Sequence, residues 1–119
     1  MEYGSQPRGS SSGSAAAGAA RMIPFALGTQ TAGWTVKPAG YCGIVGFKPT
    51  YGRISCAGVV PGAWSFDTVG IFCRHVDDAA LGLSILNGFD PADLASAVAG
   101  DGIAVAERAR GSGGRPAGG

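Results

Sequence analysis

Glycine occupies 22 of the 119 positions, and this abundance limits what the chain can fold into more than any other feature. A glycine inside a helix or strand is destabilising by roughly 0.5–1 kcal/mol relative to alanine, so it favours turns and loops. Hydrophobic residues still make up 45% of the chain, which excludes disorder throughout. The sequence therefore predicts one modest, loop-rich domain of marginal stability.

Short apolar and alanine-rich segments lie between the glycines and predict alternating helices and strands. Residues 12–22 predict a helix with a serine N-cap, which ends before Pro24. Residues 23–31 form a short apolar run that suits a buried strand. A second, short helix is expected to begin at Pro38, within residues 38–47. This alternation indicates an α/β layer structure.

The rest of the chain predicts loops, one strong helix and a tail. Proline and glycine punctuate residues 48–70, which contain short β-prone pieces. Residues 75–90 predict the clearest helix, with Gly88 after its end. The composition then changes to Ala, Gly and Arg, so residues 1–95 are predicted to be folded and residues 96–119 to be a disordered tail. The apolar residues near helical spacing in the strong helix are Val76, Ala79, Ala80, Leu83 and Leu86.

The charges and cysteines exclude several classes of function. A net charge of +1 with 14% charged residues lacks the basic stripe of a nucleic-acid binder. No stretch approaches the roughly 20 apolar residues of a membrane span. Cys42, Cys56, Cys73 and His75 fit no zinc spacing, so we expect no metal and no cofactor. Three reduced, partly buried thiols indicate a cytoplasmic protein.

Two segments carry groups that suit chemistry. A serine cluster at residues 9–17 leads into the first helix, and a glycine turn at residues 31–34 follows the first strand. Hydroxyls and backbone N–H groups at such places can hold an anion or a developing oxyanion, as acyl transfer requires. The plainer interpretation is a flexible linker and a simple turn. A phosphate-binding loop is a third and weaker interpretation, because no Gly-Lys-Ser/Thr follows the glycines.

Three separated segments, residues 9–33, 37–55 and 65–93, closely resemble the amidase signature family in order and spacing. These enzymes hydrolyse or transfer amide nitrogen, and some are A subunits of tRNA-dependent amidotransferases. The resemblance covers residues 7–95. It implies a mixed β-sheet core covered by helices and a small-molecule amide substrate. It also implies that the chain's partners are missing amidase segments or an amidotransferase, with no nucleic acid and no membrane.

The resemblance also implies a catalytic arrangement. The family uses a serine nucleophile, a second serine preceded by a cis peptide bond, and a lysine base. Ser10 occupies the cis-serine position, with Ser11 beside it in the same network, and Trp34 occupies the nucleophile position 24 residues later. The oxyanion-hole turn falls on Thr31, Ala32 and Gly33.

Two departures from the family put activity in doubt. The indole of Trp34 has no nucleophilic oxygen and would fill the space of the scissile amide. Thr35 supplies the nearest hydroxyl, but it lies one residue away and is expected to point elsewhere. Lys37 and Lys48 do not match the base, which is expected upstream of this sequence. We therefore expect an inactive internal slice of a longer amidase; the alternatives are a non-catalytic binding module and a translated remnant.

The other matched residues are expected to serve the scaffold. Asp67 and Arg74 are predicted to pair across a turn, with substrate binding, as in some relatives, as the alternative. His75 is predicted to be a surface or capping residue at a helix start rather than a general base. The remaining assignments are Tyr41 and Phe47 to the core and Asp77 and Asp78 to the helix N-terminus.

Overall fold

The computed structural model describes residues 9–99, which form three helices, a three-stranded sheet and a terminal 3-10 helix. The predicted α/β class is confirmed. None of these helices combines the length and apolar character that a membrane span requires. The elements are α1 (Ser12–Ala19), β1 (Phe25–Gln30), α2 (Val36–Cys42), β2 (Val45–Phe47), β3 (Thr68–Cys73), α3 (Val76–Leu86) and the 3-10 helix (Leu94–Ala99).

Strand β3 is the centre of the sheet, whose order is β1-β3-β2. Both pairings are antiparallel, whereas the resemblance implies a mixed sheet. A parallel pairing would require a strand other than the three that residues 9–99 contain. Strand β1, which the sequence predicts as buried, is only half-buried, because it lies at the edge of this sheet.

Every residue of β3 is buried, since helices cover both faces of this strand. Successive side chains of a strand point to opposite faces. Ile71 therefore packs in one cluster with Leu83 of α3. Phe72 packs on the opposite face with Ala15 of α1 and Ala39 of α2. Apolar side chains on both faces explain why this strand shows no polar–apolar alternation.

Two predicted helices have different bounds in the structure. Helix α1 ends at Ala19, three residues short of the prediction, and Arg21 then adopts a positive φ of 60°. Helix α2 begins at Val36 rather than Pro38 and ends at Cys42, with the left-handed Gly43 as its C-cap. Residues 45–47, predicted as helix, form β2 instead. Pro38 fits inside the first turn because N–H groups there have no intrahelical acceptor.

The end of the described region crosses the predicted domain boundary. The 3-10 helix begins at Leu94 and continues to Ala99, beyond the predicted end of the folded part at residue 95. Ser96 is fully buried, and its hydroxyl donates to the Asp93 carbonyl at 2.6 Å. The 3-10 helix therefore includes residues 96–99, which the sequence assigns to the tail, and the disordered tail stays a prediction. Residues 100–119 lie outside the described part of the chain.

Much apolar surface is uncovered. Tyr41 is 62% exposed, which contradicts its predicted place in the core, because it lies on the outer side of α2. Phe47 does pack against the core. Exposed apolar groups favour association, so this surface agrees with the predicted marginal stability, which stays a prediction. The other most exposed large apolar residues are Val60, Trp64, Leu94, Met22, Ile85, Val76 and Phe66.

Two glycines that face each other across β1 and β3 let the loops approach the sheet closely. Gly28 and Gly70 are register partners. A β-carbon at Gly28 would lie 2.7 Å from the Ser11 hydroxyl, and one at Gly70 would lie 2.6 Å from the Thr35 hydroxyl. The two glycines, here called the glycine floor, therefore leave a shallow depression on the sheet. Ser11 packs against Gly28 in this depression, and Thr35 packs against Gly70.

Gly70→Ala is expected to destabilise the fold by about 1–3 kcal/mol, because its β-carbon would overlap Thr35 and crowd the Phe47 carbonyl at 3.1 Å. Gly40→Ala is the matched control, since open space surrounds that position in α2. Alanine should there stabilise the helix by up to about 1 kcal/mol. Urea denaturation followed by circular dichroism measures both changes. Equal effects of the two substitutions would contradict the close approach at Gly70.

Candidate functional site

The serine loop and the glycine turn meet on the glycine floor. A β-carbon added at Gly9 would lie 2.8 Å from Cε3 of Trp34, so the loop backbone contacts the indole directly. The Ser11 hydroxyl donates to the Thr29 carbonyl at 3.3 Å and accepts from the Thr29 N–H at 3.1 Å. These bonds fix the start of α1 beside the end of β1. The two segments singled out in the sequence are therefore neighbours.

Ser11 stands at the N-cap position of α1 but does not cap the helix with its side chain, contrary to the predicted serine N-cap. Its hydroxyl is used by Thr29 instead. Ser10 is exposed. All peptide bonds between described residues are trans, whereas the resemblance implies a cis bond before Ser10. For a non-proline residue the trans form is favoured by about 2.5–4 kcal/mol.

Gln30 fixes the C-terminal end of the glycine turn, a role that the sequence analysis missed. Its side-chain oxygen accepts the backbone N–H groups of Thr35 at 3.0 Å and Val36 at 3.1 Å. Both N–H groups lie at the start of α2, where a helix has no acceptors of its own. A buried glutamine thus acts as the cap of α2. The only hint in the sequence is a polar residue closing an apolar strand five positions before Thr35.

Asp67 fixes the N-terminal end of the turn, at Thr31. Its carboxylate accepts a hydrogen bond from the Thr31 hydroxyl and from the N–H groups of Gly62 at 2.6 Å and Ala63 at 2.8 Å. The Thr31 hydroxyl, followed by these backbone donors, lowers the pKa of the Asp67 carboxyl from its usual value. The predicted oxyanion turn is thereby tied to the loop before β3.

Asp67 and Arg74 do not pair, contrary to the sequence prediction. Arg74 donates to the backbone carbonyls of Ile23 at 2.9 Å and Gly18 at 3.5 Å, and so fastens the end of α1 to the sheet. The two residues lie at opposite ends of β3, whose 6 residues separate them by the length of the strand. Each serves the scaffold instead, Arg74 through backbone carbonyls and Asp67 through two backbone N–H groups and the Thr31 hydroxyl.

Trp34 is accommodated at the apex of the turn. Its side chain is 40% exposed, with Gly9 on one side. The Lys37 ammonium lies 5.8 Å from the centroid of the ring, within the range of a cation–π contact. Gly33 is buried, while Thr31 and Ala32 are exposed. The apex of the turn is therefore occupied by an indole with a cation beside it.

At this turn the Thr31 hydroxyl meets the Asp67 carboxylate, and neither lysine of the described residues is hydrogen-bonded to a hydroxyl there. Thr35 is fully buried, with its hydroxyl against Gly70, so it points away from the apex as expected. Lys37 faces the indole, and Lys48 donates to the Pro49 carbonyl at 2.8 Å. His75 is exposed at the N-cap of α3. Asp77 and Asp78 lie in the first turn of that helix as predicted.

The cysteines show no arrangement for metal binding or disulfide formation. Cys42, Cys56 and Cys73 are free. Burial raises the pKa of the Cys56 and Cys73 thiols above the ordinary value, which makes them poor nucleophiles at neutral pH. Between residues 9 and 99 no three His, Cys, Asp or Glu side chains come together as a metal site.

Sequence comparison identifies relatives much longer than this chain. The family model described as Amidase matches residues 4–112. The A subunit of glutamyl-tRNA(Gln) amidotransferase from Macrococcus caseolyticus is 50% identical over 97 residues, covering 82% of this chain and 20% of that protein. The corresponding protein of Syntrophomonas wolfei is 58% identical over 91 residues, covering 76% and 19%. The chain spans about a fifth of the length of the curated relatives it matches.

Solved structures that are similar to this chain are likewise much longer than it. The peptide amidase of Stenotrophomonas maltophilia is similar with a TM-score of 0.77 and 48% identity, over 83% of this chain and 20% of that chain. The A subunit of glutamyl-tRNA(Gln) amidotransferase from Thermotoga maritima has a TM-score of 0.74 and 47% identity, over 76% and 20%. These likenesses confirm that the described fold is a part of the amidase signature fold.

Gln30→Leu is expected to destabilise the turn by about 1–3 kcal/mol, because it leaves the buried N–H of Thr35 without an acceptor. Gln30→Glu is the control, since it retains the acceptor and places a negative charge at a helix N-terminus. Hydrogen exchange at the Thr35 and Val36 amides measures the effect. Unchanged protection in the leucine variant would contradict the capping role of Gln30.

Acid is expected to loosen the turn through Asp67. Because the folded-state pKa is lowered, the carboxylate contributes stability above about pH 4, the ordinary aspartate value, and loses it as the pH falls through the lowered pKa. Thr31→Val should raise that pKa, so the loss begins at higher pH. Carboxyl NMR titration measures it. Ser55→Ala is the control: it should raise the pKa of Asp90 and leave that of Asp67 unchanged.

Proposed function

The chain belongs to the amidase family, and on that premise we propose that it is an amidase-derived segment whose hydrolytic chemistry is lost at Trp34. The parent reaction is hydrolysis of a carboxamide C–N bond through a Ser–cis-Ser–Lys mechanism. The single observation that carries the proposal is the indole at the apex of the turn, packed against the serine loop at Gly9.

The chemical argument starts from the first step of amide hydrolysis. A serine oxygen attacks the carbonyl carbon, a base takes the serine proton, and the amine leaves as an acyl-enzyme forms. Water then releases the acid. An indole has no oxygen to form the acyl bond, and its bulk occupies the position of the amide. With Trp34 in place, this step has no nucleophile.

The other assignments follow the family positions. Ser10 is proposed as the relay serine, and the N–H groups of Thr31, Ala32 and Gly33 as oxyanion donors. The hydrogen bonds of Gln30 and Asp67 hold the turn in one conformation and support this assignment. Donors that are preorganised in this way stabilise charge without having to reorient. A small-molecule amide is the proposed substrate of the parent enzyme.

Relatives that match this chain are described as a peptide amidase and as the A subunit of glutamyl-tRNA(Gln) amidotransferase. A peptide amide as substrate and an amidotransferase partner therefore belong to the proposal for the parent protein. A cytoplasmic location is also proposed, and it is supported by three free thiols.

A non-catalytic binding module is the second candidate. The observation that favours it is the apolar surface that the described residues leave exposed, including Trp64, Ile85 and Val60. Contiguous exposed apolar patches mark interaction sites. This candidate is compatible with a lost nucleophile, because binding requires no reactive oxygen.

Neither the 119-residue chain nor its Trp34→Ser variant is expected to release ammonia from a peptide amide or from glutamine. The variant regains a hydroxyl, but Lys37 and Lys48 are engaged elsewhere and supply no base. A coupled ammonia assay, with the Stenotrophomonas peptide amidase as positive control, measures turnover. Turnover by the unaltered chain would refute the loss of chemistry, and turnover by the variant alone would show that the chain contains its own base.

A further inference from the structure

A pocket of about 260 Å³ lies between the loop that precedes β3 and the segment that enters the 3-10 helix. Tyr51, Cys56 and Trp64 line it from the loop, and Asp93 and Ala95 line it from the opposite side. Pockets for drug-sized ligands have volumes of about 300–1,000 Å³. This pocket therefore suits a smaller molecule.

The charge of the pocket lining is negative. The carboxylates of Asp67 and Asp93 line it, and none of the lining residues is a lysine, arginine or histidine. Burial raises the pKa of the Cys56 thiol, and the charges of Asp93 and Asp67 raise it further. Both carboxylates therefore lie near this one side chain, and a ligand that enters the pocket meets two negative charges.

The two carboxylates retain acceptor positions for a ligand. Asp93 accepts the N–H groups of Cys56 at 2.8 Å and Ala95 at 3.1 Å. Asp67 accepts the Thr31 hydroxyl and two backbone N–H groups. Because an ionised carboxylate offers about four acceptor positions, Asp93 keeps about two of them and Asp67 about one. All these donors are uncharged, so they leave both negative charges in place.

The hydroxyl and the thiol of the lining are already engaged as donors. The Tyr51 hydroxyl donates to the Trp64 carbonyl at 2.9 Å, and the Cys56 thiol donates to the Asp67 carbonyl at 3.5 Å. An anionic ligand would therefore meet like charge and would find neither of these groups free. An ammonium group carries three donors and no acceptor, so its hydrogen bonding complements that of the pocket.

Two aromatic residues form the outer wall of the pocket. The hydrogen bond from Tyr51 to the Trp64 carbonyl fastens them to each other. The Trp64 side chain is 81% exposed, so the described residues leave most of its indole uncovered. A cation near the face of an aromatic ring is attracted by its π-system, most strongly for tryptophan. Val59 and Pro61 add apolar surface to the same lining.

We propose that this acid–aromatic pocket binds a small organic ammonium ion. Its ammonium group lies between Asp67 and Asp93, and its apolar body lies against Trp64 and Tyr51. A metal ion fits less well, because between residues 9 and 99 no three His, Cys, Asp or Glu side chains come together as a metal site. Trp34 does not line this pocket, so binding here is independent of the chemistry proposed for the glycine turn.

The probe is n-butylammonium, titrated into the ¹⁵N-labelled 119-residue chain and followed by ¹H–¹⁵N NMR correlation spectra. Saturable shifts are expected at the Cys56 and Ala95 amides, because both donate to Asp93. Two compounds with the same carbon chain serve as ligand controls: n-butanol, which is neutral, and butyrate, which is anionic. Butylammonium should bind at least about tenfold more tightly than either, since hydrogen bonds to charged groups are the stronger ones.

Asp93→Asn should weaken butylammonium binding at least about tenfold, because it removes one of the two charges and keeps the shape of the side chain. Asp90→Asn is the matched control. Asp90 lies on the same segment and accepts hydrogen bonds from Ser55 at 2.7 Å and Ala92 at 2.9 Å, but it does not line the pocket. The affinity of the control variant should change less than about twofold.

Trp64→Ala is a second variant that does not disturb the core, because this side chain is 81% exposed. It should weaken binding about two- to fivefold, the range of an exposed cation–π contact. Phe66→Ala is its control, since Phe66 is 68% exposed on the same loop and lies outside the pocket lining. The Trp64 and Phe66 pair decides the question even where Asp93→Asn unfolds the chain.

Several results would overturn the assignment of this pocket. Binding of butanol or butyrate as tight as that of butylammonium would refute the selection for a cation. Equal losses in Asp93→Asn and Asp90→Asn, or in Trp64→Ala and Phe66→Ala, would refute the location. Shifts that do not saturate, or that occur only at amides outside the lining, would refute a specific site. None of these results would alter the assignment of Trp34.

Discussion

The contact of two loops with a pair of cross-strand glycines determines how the candidate site is assembled. Gly28 and Gly70 face each other across β1 and β3, and each leaves the space that a neighbouring hydroxyl residue fills. Ser11 rests on the first and Thr35 on the second. The serine loop therefore approaches the glycine turn from one side, while α2 begins on the other. A side chain at Gly70 would overlap Thr35, and one at Gly28 would overlap both Ser11 and the Phe72 ring, so either substitution would disturb the contact between a loop and the sheet.

The sequence predicts the elements whose pattern is local. Helix α3 is predicted because its apolar spacing and acidic first turn lie within one segment. Strand β3 is harder to predict, because it is buried on both faces and has no alternation that distinguishes a strand from a buried helix. The start of α2 depends on a hydrogen bond to Gln30, and β2 exists because β3 offers it a partner. Neither interaction is encoded within the segment that it shapes.

The site is predictable in position but not in its supports. The sequence shows the glycine turn with Trp34 at its apex, and the family resemblance implies that the serine cluster lies beside it; the structure brings Gly9 against the indole. The partners of Asp67 and Arg74 could not be inferred, because Arg74 bonds backbone carbonyls about 50 residues away and Asp67 bonds backbone N–H groups of its own loop together with the distant Thr31 hydroxyl. Backbone carbonyls and N–H groups occur at every position, so a sequence does not mark which of them a side chain will reach.

The indole shows that the scaffold of this site is separable from its chemistry. The side-chain hydrogen bonds that shape the turn involve Gln30, Asp67 and Ser11, and none of them uses the side chain at position 34. The apex also faces a glycine at position 9 and a flexible lysine at position 37, which leave room for a large ring. A serine can therefore be exchanged for tryptophan here without breaking a support. Under the proposed assignment of position 34, the exchange removes one oxygen and the space for an amide, while the hydrogen bonds that support the turn remain.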